Sequence, residues 1–205
     1  MDKAAKRLAV IYVILLSLCA PLMAVHFELF TWFMGVVDMS YWTQTVLWFL
    51  PMLVYGGILV ILGIWNMVKS FQIYKRQDML GCINGMLIHK YGLVIFFCVN
   101  FIVLFLVYFM LTFGLVMGTR GLALLVAPVW LPFVLVMIGW SVIMSWLAIL
   151  PGSMYSIQVI RGSVRAGKIS GGAAVLHGIL QFLFLADVLD AMYLAAGKWG
   201  RGKKS

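Results

Sequence analysis

The sequence predicts an all-α integral membrane protein, a helical bundle with five transmembrane helices. Composition is the first observation behind this. Of 205 residues, 65% are aliphatic, aromatic or Cys and only 10% are charged, whereas an average soluble domain carries about 25% charged residues. The second is a set of five apolar runs, 8–25, 46–68, 93–117, 125–149 and 173–196, each near the ~20 residues that cross a hydrocarbon core. The third is that the runs are continuously apolar, not alternating as the strands of a membrane barrel are.

The first run follows a basic start, Lys3, Lys6 and Arg7. It resembles a signal peptide, but Leu8 to Val25 is 18 residues, longer than the usual apolar region of one, so an uncleaved first span is expected. The stretch 26–45, HFELFTWFMGVVDMSYWTQT, has no Lys or Arg. It reads as an outer hairpin or an amphipathic segment lying on the headgroups. Its polar residues His26, Glu28 and Asp38 have no spacing that would converge them on a cation, so no metal site is expected.

The second run carries Pro51 and the pair Gly56-Gly57. The stretch 69–92, with Lys69, Lys75, Arg76 and Lys90, reads as a cytoplasmic loop. Leu93 to Met117 is uncharged, and Asn100 is its one strongly polar residue. Pro128 and Pro132 begin the fourth run near its outer end, where proline is tolerated. The stretch 152–172 reads as a second cytoplasmic loop. Within it the fourth helix is expected to run on past Pro151, with Gly167 ending it and Ser170 capping the last helix.

Orientation follows from Lys and Arg, which are retained on the cytoplasmic side. With the N-terminus inside, Lys3, Lys6, Arg7, Lys69, Lys75, Arg76, Lys90, Arg161, Arg165 and Lys168 lie inside. Arg120, Lys198, Arg201, Lys203 and Lys204 then lie outside. The basic tail 197–205 is therefore on the disfavoured side. The last run is also the weakest. Its eleven Leu, Ile, Val and Phe residues are worth roughly −3 to −7 kcal/mol at central depth. Asp187 and Asp190 each cost up to about 3 kcal/mol there. The alternative is four spans plus a re-entrant or interfacial C-terminal helix, which would leave only Arg120 outside.

Two groups of residues are candidates for chemistry. His177, Gln181, Asp187 and Asp190 lie within an apolar run, where polar groups are expensive. On one uninterrupted helix the first two share a face and the two acids lie round another side, so other helices must complete any site. Asn100 and Asn66 are the expected contributors. This set reads either as polar interhelical hydrogen bonds or as the proton- or cation-responsive site of a carrier. Arg161, Arg165 and Lys168 fall within about 60° of one another on a helix, one basic stripe. That stripe reads as a topology anchor, or as a holder of anionic lipid, a phosphate or an acidic partner. Small-xxx-small spacings, Gly81/Gly85, Gly114/Gly118 and Ala191/Ala195 among them, allow close helix packing and self-association.

The net charge is +9, but the basic residues flank apolar runs and are not interleaved with stacking aromatics, so nucleic acid is not an expected partner. Cys19, Cys82 and Cys98 are far apart, so no disulfide or cofactor is expected. Zinc-hydrolase, serine-hydrolase and phosphate-loop motifs are absent. No catalytic residues are assigned, and an enzyme is not expected.

The stretch Arg161 to Leu194 begins R-G-S-V-R-A-G-K-I-S and continues L-H-G-I-L-Q-F-L-F-L-A-D-V-L-D-A-M-Y-L. It resembles the C-terminal part of uncharacterised multi-spanning membrane proteins of Gram-positive bacteria. The resemblance implies a bacterial cytoplasmic membrane and no known activity. The expected function is that of a non-enzymatic accessory or regulatory membrane protein, acting through helix contacts with a membrane partner or a second copy. The alternative is a small carrier or transporter subunit that uses the polar residues of the last helix.

Overall fold

Helix length sets the architecture. In the computed structural model, which describes residues 3–37, 40–125, 127–183 and 186–196, the elements are α1 Lys3–Val36, α2 Tyr41–Lys75, α3 Met79–Gly118, α4 Ala127–Arg165, α5 Gly171–Leu180 and α6 Ala186–Ala196. A short 3-10 turn, Leu122–Leu124, precedes α4. No strand occurs among the described residues. The four long helices have 34, 35, 40 and 39 residues. At about 1.5 Å per residue they are roughly 50–60 Å long.

Capping residues divide the chain. Ser40 accepts from the backbone N–H of Thr43 and starts α2. Asp78 accepts from the N–H of Gly81 at 2.8 Å and starts α3. The turn before it holds Gln77 at φ +56°. Gly167, at φ +65°, ends α4 without the steric penalty another residue would meet there. Ser170 caps α5 through the N–H of Ala173, as its position predicts.

The helices are longer than the apolar runs suggest. The stretch 69–92, expected as a loop, is the end of α2, a tight turn at 76–78 and the first three turns of α3. The stretch 26–45, expected as an interfacial segment, is mostly the end of α1 and the start of α2. Asp38 lies outside the described residues. So does the tail 197–205. Charged residues had marked the ends of apolar runs, but a helix continues through charge and stops at a turn signal.

Four helical segments are long and apolar enough to cross a membrane: Lys3–Val36, Tyr41–Lys75, Met79–Ile102 and Val134–Arg165. The fifth span expected over 173–196 is replaced by two short helices. α5 stops at Leu180 and α6 starts at Ala186. α6 runs antiparallel to α3. Asp187 at its start meets Lys90, and Leu194 near its end packs with Cys82 and Ile83. The C-terminal pair therefore folds back toward the end from which α5 began. An unbroken helix would carry the two acids away from His177 and Gln181, whereas the break lets them meet.

α1 packs on α2 and α3, and α4 packs on α2, α3 and α5. Among the described residues, core formation is concentrated at one end, where α1 begins, α2 ends, α3 begins and α4 ends. Buried there are Ala5, Tyr12 and Leu16 of α1, Asn66 and Ile73 of α2, Cys82 to Phe96 on one side of α3, and Ala148 to Ser163 on one side of α4. Close approach depends on small residues. A Cβ on Gly152 would lie 2.9 Å from the His89 Cβ, and Gly85 faces the ring of Tyr155. The same end carries Lys3, Lys6, Arg7, Lys69, Lys75, Arg76, Arg161, Arg165 and Lys168 on α1, α2, α4 and the α4–α5 turn, and is called the basic half below.

Candidate functional site

A break in a helix frees backbone carbonyls, and in an apolar interior each must find a donor. At the C-terminal end of α5 the donors come from α3 and α4. The Ser153 hydroxyl donates to the Gln181 carbonyl at 2.7 Å. The Lys90 Nζ approaches the same oxygen at 3.5 Å, and the Trp146 Nε1 donates to the Phe182 carbonyl at 3.2 Å.

Lys90 is the centre of the cluster. It is only 1% exposed. Its Nζ lies 2.7 Å from the Asp187 Oδ2 and 3.3 Å from the Ser153 Oγ. With the Gln181 carbonyl these contacts occupy all three ammonium donors. The ends of the short helices reinforce the pairing. The cation sits at the carbonyl-rich end of α5, and Asp187 lies in the first turn of α6. Both positions complement a helix dipole.

Asp190, one turn beyond Asp187, joins the two short helices. One of its oxygens accepts from the Gln181 Nε2, and the other is hydrogen-bonded to the His177 Nδ1. The His177 ring stacks on Tyr193, with centroids 5.6 Å apart. His177, Gln181, Asp187 and Asp190 are thus brought into one cluster, although helical spacing had set the acids apart. The end of α5 at Leu180 is the reason.

Beside the ion pair lies a second buried polar layer. The His89 Nδ1 donates to the Gly85 carbonyl at 2.8 Å, since a carbonyl can only accept. Its ring stacks on Tyr155 at 5.1 Å and tilts against Tyr12 at 5.8 Å. Several buried atoms of the two layers have no hydrogen-bond partner within the described chain. These are His89 Nε2, Tyr155 Oη, Asn66 Oδ1, Asp187 Oδ1, Gln181 Oε1 and both amide atoms of Gln158. Such atoms are uncommon in folded proteins.

The other expected residues fall elsewhere. Asn100 donates to the Phe96 carbonyl of its own helix at 2.9 Å, and Asn66 donates to the Leu62 carbonyl in the same way. Neither is hydrogen-bonded to His177, Gln181, Asp187 or Asp190. His26 packs against Trp48 and Phe30, with its Nε2 3.1 Å from the Trp48 carbonyl. Arg161 and Arg165 are brought together, their guanidinium carbons 5.5 and 5.8 Å from the centre of the Tyr74 ring. Lys168 belongs to the turn after α4, its backbone N–H bonded to the Ser163 carbonyl. No group of three or more His, Cys, Asp or Glu residues able to hold a metal occurs among the described residues.

Sequence reasoning missed Lys90, Ser153, His89, Tyr155 and Gln158. Lys90 had been counted as a loop charge. One signal pointed the other way: from Met86 to Met117 the chain has no Gly-Pro or Asn-Gly dipeptide, so Lys90 shares one helical pattern with the apolar run that follows it. An intramembrane Asp also calls for a basic partner.

The chain matches a family of unknown function (DUF6652) over residues 3–201, nearly its whole length, and belongs to that family. No curated protein and no solved structure matches it.

Proposed function

We propose that this member of the DUF6652 family is a non-enzymatic accessory or regulatory protein of a bacterial cytoplasmic membrane, acting through helix contacts with a membrane partner. In this reading it is multi-pass, with the basic half on the cytoplasmic side, so that its Lys and Arg residues meet anionic headgroups.

One observation carries the reading. The buried charges Lys90 and Asp187 are paired with each other through the Asp187 Oδ2, and Ser153 and the Gln181 carbonyl take the other donors of Lys90. They act as an internal clasp on α5 and α6 and are not presented to cargo. The four long helices then offer their apolar far halves to lipid or to another helix.

A second reading, a small carrier, has its own support. Discontinuous helices whose charged ends meet inside an apolar bundle are a common way to build a transporter site. The unpartnered polar atoms of His89, Tyr155 and Gln158 next to that break are the kind a small polar solute would satisfy.

The test uses the full chain. Purified and reconstituted into vesicles with an entrapped pH dye, it is expected to pass no protons or cations. Purified from its native membranes, it is expected to retain a stoichiometric partner, lost with Phe109→Arg at unchanged membrane level. A flux abolished by Asp187→Asn would replace the first reading with the second.

A further inference from the structure

At the tip of the basic half, the turn between α2 and α3 meets the end of α4. Tyr74, Gln77, Met79, Gly162, Arg165 and Ala166 line an open crevice there, of about 220 Å³. Gly162 lets the Met79 side chain pack directly on α4 at the crevice wall, since a Cβ at that position would run into it. Arg161 and Arg165 both lie against the Tyr74 ring. Neither makes an ion pair among the described residues. Each guanidinium gains from the aromatic ring, while two like charges gathered at one ring repel each other. The nearby acid is Asp78, whose carboxylate is engaged in capping α3.

An arrangement with two unpaired guanidiniums beside a small open crevice suits an oxyanion with several acceptor oxygens, because arginine bonds phosphate in a bidentate way. The neighbourhood decides where that phosphate comes from. Phe71, Leu80 and Val164, adjacent in sequence or one helical turn from residues that line the crevice, are 41%, 55% and 39% exposed. Exposed apolar side chains fit acyl chains and are of no use to a soluble phosphate. The charge points the same way: nine basic residues gather at this end, against the half-buried Asp78 as the acid described there.

We propose that this crevice binds the phosphate of an anionic lipid headgroup, with Arg161 and Arg165 supplying the charge, Tyr74 holding them in place and the acyl chains lying along Phe71, Leu80 and Val164. The proposal is independent of whether the polar cluster is a clasp or a carrier site. It turns the α2–α3 turn and the end of α4 into a lipid sensor at the base of the C-terminal pair.

Native mass spectrometry of the full chain in mild detergent tests it, with phosphatidylglycerol, phosphatidylcholine and glycerol phosphate as probes. One phosphatidylglycerol is expected to bind at least tenfold more tightly than phosphatidylcholine. Arg161→Gln with Arg165→Gln should abolish that preference. Ala166→Trp, which fills the crevice without altering charge at an exposed position, should do the same. Lys3→Gln with Lys6→Gln should leave it unchanged. Thermal unfolding of each variant shows that the fold is kept. Wild-type binding by Ala166→Trp, or an equal loss with the Lys3 and Lys6 changes, would show diffuse charge attraction and overturn the crevice. Glycerol phosphate binding as tightly as the lipid would overturn the lipid assignment.

Discussion

The two halves of the same four helices obey different rules. In the basic half, helices touch through glycines and polar side chains, and Lys90, His89, Gln158 and Gln181 are fully or almost fully buried. In the far half, no residue between positions 21 and 62 is buried among those described. Ala123 and Val134 are the buried residues described between positions 97 and 147. There Phe101, Phe105, Phe109 and Phe113 stack in a ladder along the outside of α3 and stay about half exposed. Even the same motif is used differently. Gly81 and Gly85 lie against neighbouring side chains, whereas a Cβ on Gly114 or Gly118 would meet nothing within 4 Å. An apolar surface has no drive to associate in oil, because lipid covers it as well as a neighbouring helix does. Close contact has to come from polar pairing and small residues, and those are concentrated in the basic half.

The comparison breaks most visibly at the C-terminus. In a background with Cys19, Cys82 and Cys98 replaced by Ala, cysteines placed at Lys3 and at Ala196 are expected to react from the same side of the membrane. Labelling from opposite sides would restore a fifth crossing and remove the fold-back of α5 and α6.

The next largest effect is expected at the clasp. Lys90→Met strands Asp187 in the interior and should cost about 3–5 kcal/mol, as the loss of one partner of a buried pair does. Adding Asp187→Leu should recover most of that loss. Unfolding in mixed micelles measures both. A double variant as unstable as the single would mean that shape, not charge, holds the hairpin.

Packing is the third point of contrast. Gly85→Leu drives a side chain into Tyr155 and is expected to destabilise by roughly 1–3 kcal/mol. Gly114→Leu, with open space around it, should leave the unfolding midpoint where it is. Equal effects at the two glycines would erase the distinction between the halves.

Smaller changes sharpen the picture. A double-mutant cycle on His177→Ala and Asp190→Asn should show a coupling of about 0.5–3 kcal/mol, the range for side chains that share a hydrogen bond. Asn100→Leu should have the smallest effect, about 0.6 kcal/mol or less, because its amide donates to a carbonyl of its own helix. A large loss at Asn100 would place an interhelical polar partner beside it in the far half.

Much of the site was legible residue by residue, and little of it as an arrangement. His177, Gln181, Asp187 and Asp190 stood out because polar groups in an apolar run are costly. Their convergence was hidden because helical periodicity assumes an unbroken helix, and the break comes within a run of Leu and Phe that carries no turn signal. Lys90 was hidden for the opposite reason. Basic residues near the end of an apolar run usually mark a boundary, and only the depth of α3 in the bundle shows that this one does not. The Arg161 and Arg165 stripe was visible from spacing, but Tyr74, which holds it, comes from the end of α2, nearly ninety residues earlier.

Local sequence determined what local physics can decide. Long uninterrupted apolar runs must be helical, since each backbone group then finds its partner a turn away. Ser40, Asp78, Gly167 and Ser170 set where those helices start and stop. Tertiary structure alone decided that the last run breaks, that its freed carbonyls meet Lys90, Ser153 and Trp146, and that most of the buried residues among those described gather in one half of the bundle. Those outcomes depend on which distant groups can pair, and a buried charge is tolerable only where its partner arrives from another helix.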